Sequence, residues 1–449
     1  MRQSNALLFA LRNTFEHNPA VVYKAVYMGE TASVIEKAGW QVKCFDVDVD
    51  QLSLTTLIEE FSKKPEVIFI WSEVHQARMA KQLALTAKKV HPDIKIFVFG
   101  RATVFIPQYF ERFPFDAVHV SGDREASIAD YLYQIDNQKS VASGVSMRDK
   151  YSEVFTRSSG RRLDPDEWPL PVIKRLPVEK YRLFSHRTHG QNYSDRLALT
   201  VSKGCELACA YCGATREEGF NDRRRDVGTI IDWAEKSHFD QYGSLLHLFA
   251  SNLFANHAWI KEFCRQYAFR KQKFKWRGVT TVTSLLDKDI VYSAGANGCV
   301  EVAVGVETLF SDKDRTAKSS VSDLNLAVEN AKQAGIILKG LVMLGYPGQR
   351  DSDITELERL AENWEIELRY TGYTPLHRLG RLTANDLDLL DIESYDRRTY
   401  FDSSESKLSR DFFYEKITRN GGYFQPIRRL TNPMAVTPST EFTPSLQEI

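Results

Sequence analysis

The chain has 449 residues, 43% hydrophobic and 26% charged, with 24 glycines and 15 prolines, which excludes disordered and collagen-like classes and leaves length for about three domains. Lys plus Arg and Asp plus Glu balance at 59 each, which argues against a protein whose main task is gripping nucleic acid or an anionic membrane. No apolar run approaches the roughly 18 residues that span a bilayer, and the opening MRQSNALLFALRNTFEH reads as a first strand and not a signal peptide, so a cytoplasmic location with no membrane and no nucleic-acid partner is expected.

Residues 1–140 alternate short apolar runs with amphipathic stretches. Strands are predicted at Ala6–Leu11, Gln41–Asp46, Val67–Trp71, Ile94–Gly100 and Ala117–Ser121, with helices such as Thr31–Ala38 and Gln76–Val90 between them. This pattern predicts an α/β domain with a doubly wound, Rossmann-like parallel sheet, whose ligand would lie beyond the carboxyl ends of the strands. In residues 141–196, Pro165, Pro169, Pro171 and Pro177 interrupt any regular element, so an ordered interdomain linker is expected there. From 197 to 375 the alternation returns, with strands at Leu197–Lys203, Leu245–Ala250, Lys273–Thr281, Val300–Val306, Ile336–Gly345 and Glu365–Gly372. These strand and helix units suit a partial (β/α)6 TIM-type barrel better than a closed eight-fold one. Residues 376–449 read as a small accessory segment, with a helix at Lys407–Thr418 and a flexible or surface-wrapped tail, TNPMAVTPSTEFTPSLQEI.

Six cysteines in so long a chain make no disulfide framework, and three of them fall in the run Lys203-Gly204-Cys205-Glu206-Leu207-Ala208-Cys209-Ala210-Tyr211-Cys212, directly after a predicted strand. Thiolates spaced CxxxCxxC can wrap one iron–sulfur cube from a single loop. The fourth iron then has no cysteine and offers an open coordination site, which a cluster needs to bind and activate a small molecule. A structural zinc site is the alternative; it wants a fourth ligand, and His247 and Cys264 are the nearest candidates. Cys44, Cys264 and Cys299 read as buried small hydrophobes.

The loop, with the aromatic Tyr211 just before its last cysteine, resembles that of the radical S-adenosylmethionine (SAM) enzymes. The stretch Leu248-Phe249-Ala250-Ser251-Asn252-Leu253-Phe254 is similar to the family's second-strand segment, whose polar edge, here Ser251 and Asn252, meets the methionyl amino group. Many relatives place acidic residues there, so the resemblance implies hydrogen bonds or backbone carbonyls in place of charge pairing. Val304-Gly305-Val306-Glu307 resembles the fourth-strand segment near the ribose and carboxylate, and Lys339 to Gly348, with Gly340 and Gly345, the fifth-strand segment that backs the adenine. Taken singly, each piece also reads as a turn or a strand terminus; their joint order after the cysteines carries the resemblance.

Residues 1–140 resemble the cobalamin-binding domain fused ahead of many such enzymes, in Lys64-Pro65-Glu66-Val67-Ile68-Phe69-Ile70, Phe97-Val98-Phe99-Gly100 and Phe115 to Glu125. The resemblance implies that Ser72, Gly100, Arg101, Gly122 and Asp123 lie beside that cofactor. The chain departs from the pattern with Gly100-Arg101 where two glycines are usual and Gly122-Asp123-Arg124-Glu125 where Gly-Glu-Gly-Glu is usual. No DxHxxG stretch occurs, so no histidine is expected on the lower face of the cobalt, and Glu73 and His75 read as a helix-start acid and a surface histidine. A domain that has lost its cofactor and braces the barrel is the alternative.

The resemblance thus implies a 4Fe-4S cluster held by Cys205, Cys209 and Cys212, SAM cleaved to a 5'-deoxyadenosyl radical, and cobalamin as methyl carrier. The expected activity is a cobalamin-dependent C-methyltransferase acting on an unactivated carbon of a small molecule or peptide, served by an electron donor such as flavodoxin or ferredoxin. Radical rearrangement, epimerisation, dehydrogenation or cyclisation is the alternative, and a redox-sensing iron–sulfur protein without turnover is the reading from another class. Methylthio transfer is disfavoured because the first domain holds only Cys44. Arg216, Arg223, Arg224 and Arg225 read as a solvated helix start, with binding of a phosphate or carboxylate as the alternative, and Trp276, Tyr370 and Tyr373 as strand-end aromatics that either stack on substrate or pack the core.

Overall fold

A computed structural model of the chain describes residues 5–11, 21–50, 52–137, 142–148, 155–177, 195–207, 209, 211–237, 244–307, 319–395 and 400–419. The first sheet contains β1 Asn5–Ala10, β2 Gln41–Asp46, β3 Val67–Trp71, β4 Lys95–Phe99, β5 Ala117–His119, β6 Val145–Arg148 and β7 Phe155–Arg157, in the spatial order β2-β1-β3-β4-β5-β6-β7. The first five pair in parallel. Their apolar runs are covered on both faces, as parallel sheets require, and every residue of β3 is buried. Strand order reverses between β1 and β3, which opens a crevice at their carboxyl ends.

One difference from the sequence expectation is informative. Strands β6 and β7 extend this sheet with antiparallel pairing, although they lie in the segment expected to be linker. Their sequences, VSMR and FTR, are too short and polar to show strand periodicity; the free edge of β5 organises them. After them the chain runs through Trp168, Pro169 and Pro171 in irregular structure, as the prolines predict, and residues 178–194 lie outside the described residues.

The second sheet contains β8 Asp195–Thr200, β11 Ser244–Phe249, β12 Lys275–Thr281, β13 Cys299–Glu307, β14 Ile337–Leu344 and β15 Glu367–Gly372. Six strands lie side by side in chain order and in parallel, the open arc of a partial barrel. A small antiparallel ribbon, β9 Ser202–Lys203 with β10 Arg223–Arg224, sits at the exit of β8. The helix Val21–Lys37, far longer than the expected Thr31–Ala38, packs between the two sheets, so that one apolar core joins Leu8, Met28 and Ile35 to Leu197, Leu199 and Leu246. The opposite face of the first sheet is covered by the helix Ala77–Val90, which turns Ala77, Ala80, Leu83, Ala84 and Ala87 inward at helical spacing.

The C-terminal segment is more than an appendage. Leu376, Leu379, Leu387 and Ile392 complete the core on the far face of the first domain, and Arg112 donates to both carboxylate oxygens of Asp388, one of them at 2.6 Å. The helix Arg410–Arg419 matches the predicted one to within a turn, and the predicted flexible tail lies outside the described residues.

Low in the barrel, Glu301 on β13 receives Arg277 at 2.8 Å and Lys339 at 2.8 Å from the flanking strands. Burial would raise the Glu301 carboxyl, but these two cations outweigh it and bring the group down to about 2 from 4.5. A folded-state value below the unfolded one contributes stability above pH ~4.5 that is lost as pH falls toward 2. Glu301→Gln leaves half-buried Arg277 without this counter-charge and buried Lys339 with only Glu367 at 3.4 Å, which costs up to about 3 kcal/mol. Urea unfolding is expected to show that loss at pH 7 and a shrinking gap from wild type as the pH is lowered through 4; an unchanged midpoint at pH 7 contradicts the assignment.

Candidate functional site

The cysteine loop is launched by a glycine. Gly204 has φ +90°, and a Cβ there would sit 2.0 Å from the Asn221 carbonyl oxygen, so only glycine lets the chain leave β9 and turn into the loop. The Cys205 amide donates to the Gly219 carbonyl at 3.2 Å and the Cys212 amide to the Cys209 carbonyl at 3.0 Å, which closes the loop on itself. The Ala214 amide points at the Cys212 sulfur at 3.5 Å. Cys205 and Cys209 are half-buried and Cys212 is exposed. Among the described residues no group of three metal-ligating side chains is preassembled. The donor set itself, three soft thiols on one loop with a backbone N–H aimed at one sulfur, suits an iron–sulfur cluster.

Around the loop stand the barrel residues singled out by sequence. Tyr211 meets Tyr346 edge to face at 6.0 Å, and Tyr346 packs on Tyr373 at 4.8 Å, so a row of rings runs from the cysteines to the end of β15. Glu307 ends β13 in the left-handed region at φ +54°, just past a register shift after Gly305. A non-glycine residue there is strained, a recurring feature of functional strand ends. Burial and the Glu307 charge raise the Tyr211 phenol, which therefore stays protonated. Gly345, at φ +80°, is fixed by the Gln349 side chain, whose oxygen takes its amide at 2.8 Å. Gly340 lies within β14, where a Cβ would come within 2.8 Å of Leu368, so packing explains it.

Asn252 and the arginine run depart from expectation, and for Trp276 and Tyr370 the structure selects one of the two roles left open. The Asn252 side-chain oxygen is consumed by Thr280 at 2.6 Å, the Thr281 amide and Ser284, leaving that oxygen committed inside the barrel rim and not to a ligand. The arginine run is no solvated helix start. Arg223 binds Asp123, Arg224 binds Asp222 and the Asn252 and Leu253 carbonyls, and Arg225, 1% exposed, donates to the Thr200, Trp168 and Pro169 carbonyls. Arg216 lies over the Phe105 ring at 4.8 Å. Trp276 and Tyr370 are core residues, their polar atoms held by the Asn297 carbonyl and Glu358. His247, the zinc alternative, is buried beside Arg277 in the lower barrel layer, away from the loop.

The carboxyl edge of the first sheet meets the segments that flank the cysteine loop at a cleft of about 300 Å³, open to solvent, lined by Gly100, His119, Gly122, Asp123, Arg124, Glu125, Lys203, Glu217 and Glu218. Charge pairing fills its walls. Asp123 takes Arg223 at 2.8 Å, Arg162 at 3.1 Å and the Leu163 amide at 2.9 Å. Arg124 reaches Glu30 and Glu125, each at 2.9 Å, and stacks over the Tyr27 ring. Lys203 reaches Glu125 at 2.7 Å, and Arg101 reaches Glu217 at 3.4 Å and Glu73 at 3.9 Å. Glycines Gly100 and Gly122 answer to packing: a Cβ would strike the Ser72 carbonyl oxygen at 2.6 Å in the first case and the Gly160 backbone at 2.7 Å in the second. Ser72 is buried, its hydroxyl on the Glu73 carbonyl. Glu73 opens a short 3-10 turn, as expected, and His75 is half-buried within it.

Sequence reasoning missed three cleft residues. His119 is 3% exposed, neither ring nitrogen makes a hydrogen bond of good geometry, and burial above all takes its pKa down to about 4. Glu218 is raised to about 7, by burial first and then by Glu217, against the pull of the Gly204 amide and Lys203. Lys203 crosses between the domains. They come from different elements, so no spacing announced them, although the adjacent acids Glu217-Glu218 so close to the cysteine loop were visible.

Comparison with known proteins was informative once this geometry was clear. The model of the Radical SAM superfamily matches residues 199–361. An uncharacterized methyltransferase of Pyrococcus horikoshii is 21% identical over 347 residues, 74% of this chain and 72% of that protein. Cytidylyl-2-hydroxyethylphosphonate methyltransferase of Streptomyces wedmorensis is 24% identical over 79% of this chain and 76% of its own. Among solved structures, the radical SAM methyltransferase TsrM from Kitasatospora setae superposes with a TM-score of 0.65 at 14% identity, covering 84% of this chain and 75% of that one. The cobalamin-dependent SAM radical enzyme OxsB superposes with a TM-score of 0.66 at 16% identity, covering 88% of this chain and 56% of that one. At such identities the structures establish a shared fold. The Radical SAM superfamily match falls on residues 199–361, the stretch of the barrel arc that carries the cysteine loop.

Proposed function

We propose that the protein is a cobalamin-dependent radical SAM methyltransferase that alkylates an unactivated carbon of a small molecule or peptide. The carrying observation is a juxtaposition: Lys203, just before the loop of Cys205, Cys209 and Cys212, and Glu217 and Glu218, just after it, line one cleft with the carboxyl edge of a doubly wound sheet. Methyltransferase is also the activity in the names of the two curated relatives and of TsrM, and cobalamin is bound in solved structures of both TsrM and OxsB.

In this reading Cys205, Cys209 and Cys212 would hold a 4Fe-4S cluster, which when bound would supply the electron for SAM cleavage, as cobalamin would supply a transferable methyl group. The chain does the rest. Tyr211 and Tyr346 wall the cluster side and keep water from it, Ser251 and Glu307 offer oxygen atoms to the amino acid and ribose ends of SAM, and Gly305 and Gly345 let the backbone stay close to the adenine side. An external reductant such as flavodoxin or ferredoxin would reach the cluster past the exposed Cys212.

For cobalamin the polar chemistry of the cleft fits and its present volume does not. Arg101, Arg124 and the orphaned His119 imidazole suit a ligand rich in amides with a phosphate, beside Gly100, Gly122 and Asp123. The free space is well short of a corrin ring, so Arg101 and Arg124 would have to leave Glu217 and Glu125 to admit one. That closed edge also favours a second reading, in which the first domain braces the barrel and the radical chemistry is rearrangement, epimerisation, dehydrogenation or cyclisation.

Anaerobic reconstitution decides between them. With hydroxocobalamin, wild type is expected to retain a corrinoid absorbance through gel filtration; its absence at saturating corrinoid removes the methyl-transfer reading and leaves the second. Separately, Cys209→Ala is expected to lose the broad iron–sulfur absorbance and to bring reductive SAM cleavage to background, read as 5'-deoxyadenosine. Normal cleavage by that variant contradicts the cluster assignment.

A further inference from the structure

Glu218 closes the short helix Ala214–Glu218 that follows the cysteine loop. One of its carboxylate oxygens accepts the Gly204 amide at 3.1 Å and the Ser251 hydroxyl at 3.5 Å. Those anchors hold the half-buried carboxylate between the residue that launches Cys205 and the rim of β11, with the group lining the cleft. Every other carboxylate there has a cation: Asp123 has Arg223 and Arg162, Glu125 has Arg124 and Lys203, and Glu217 has Arg101. Glu218 stands in no ion pair among the described residues, and Arg223 reaches only its backbone carbonyl. A negative group so placed, with burial and Glu217 opposing its ionisation, is stabilised by an arriving cation that brings its own N–H donors.

The rim of β11 makes the same demand. Asn252 is spent on Thr280, Thr281 and Ser284, and Ser251 is neutral, so that strand offers no charge of its own beside the cysteine loop. Resting on the proposed function, in which SAM brings one ammonium and one sulfonium to this loop, the choice follows from the donors: a sulfonium has no N–H for the carboxylate and hydroxyl oxygens, whereas an ammonium has three. We propose that Glu218 is the counter-ion of the α-ammonium group of SAM, a carboxylate delivered from the helix after the cluster loop in place of one on the second barrel strand.

The test uses full-length protein reconstituted anaerobically, with iron content and cluster absorbance confirming assembly in each variant. Equilibrium dialysis compares SAM with its deaminated analogue, the S-adenosyl derivative of 4-methylthiobutyrate. Wild type is expected to prefer SAM by about 10- to 100-fold, the worth of one charge-assisted hydrogen bond. Glu218→Gln is expected to weaken SAM by about that factor and leave the analogue unchanged, so that the preference disappears; Glu218→Asp restores part of it. Preference intact in Glu218→Gln, or both ligands weakened equally, overturns the assignment and makes Glu218 a structural anchor of Gly204 or a partner of a substrate cation. Wild type with an assembled cluster that binds neither ligand sinks the proposed function itself, and this inference with it.

Discussion

The constraint on which the rest depends is the lattice of buried charge between the turn Gly122-Asp123-Arg124-Glu125 and the strand exits that carry Lys203 and Arg223. The Asp123 and Glu125 side chains are 1% exposed, and each is neutralised by cations from across the domain boundary. Such pairs contribute little net stability, because desolvation offsets most of their attraction, but a mismatched docking would leave a buried charge alone and cost several kcal/mol. Their effect is register. The turn of the first sheet and the launch point of the cysteine loop meet in one arrangement, and Glu30 strengthens it by accepting the Thr200 amide at 3.2 Å while binding Arg124.

This register gives the site its shape. Gly204 can turn only because it has no side chain to meet the Asn221 carbonyl oxygen, and Arg225 nails the Pro-rich crossing to the end of β8 through three carbonyls. The cysteine loop is therefore held at its base, with Cys212 exposed just before the helix Ala214–Glu218.

What was legible in the sequence follows the range of the forces involved. Strand β3 falls where its apolar run places it, because burial on both faces writes itself into consecutive residues, and the edge strand β2 falls where its alternation of exposed and buried positions places it. The six strands of the barrel arc were equally visible. Strands β6 and β7 were not, since they form by completing an edge that lies elsewhere in the chain. At the site, the cysteines and Tyr211 could be read from local spacing, and the burial of Arg225 could not: the carbonyls that satisfy it belong to Trp168, Pro169 and Thr200. Asn252 looked like a ligand contact until its oxygen was seen to be committed, and Glu218 and His119 emerge only when separate elements converge on one cleft.

The central claim is a cluster held by three cysteines with one iron left for SAM. Mössbauer spectroscopy of protein reconstituted anaerobically with iron-57 tests it most directly. One iron of the four should change its isomer shift when SAM is added, while the other three, bound by Cys205, Cys209 and Cys212, stay as they were. A cluster whose four irons ignore SAM, or a site that takes up zinc in place of iron, would contradict it.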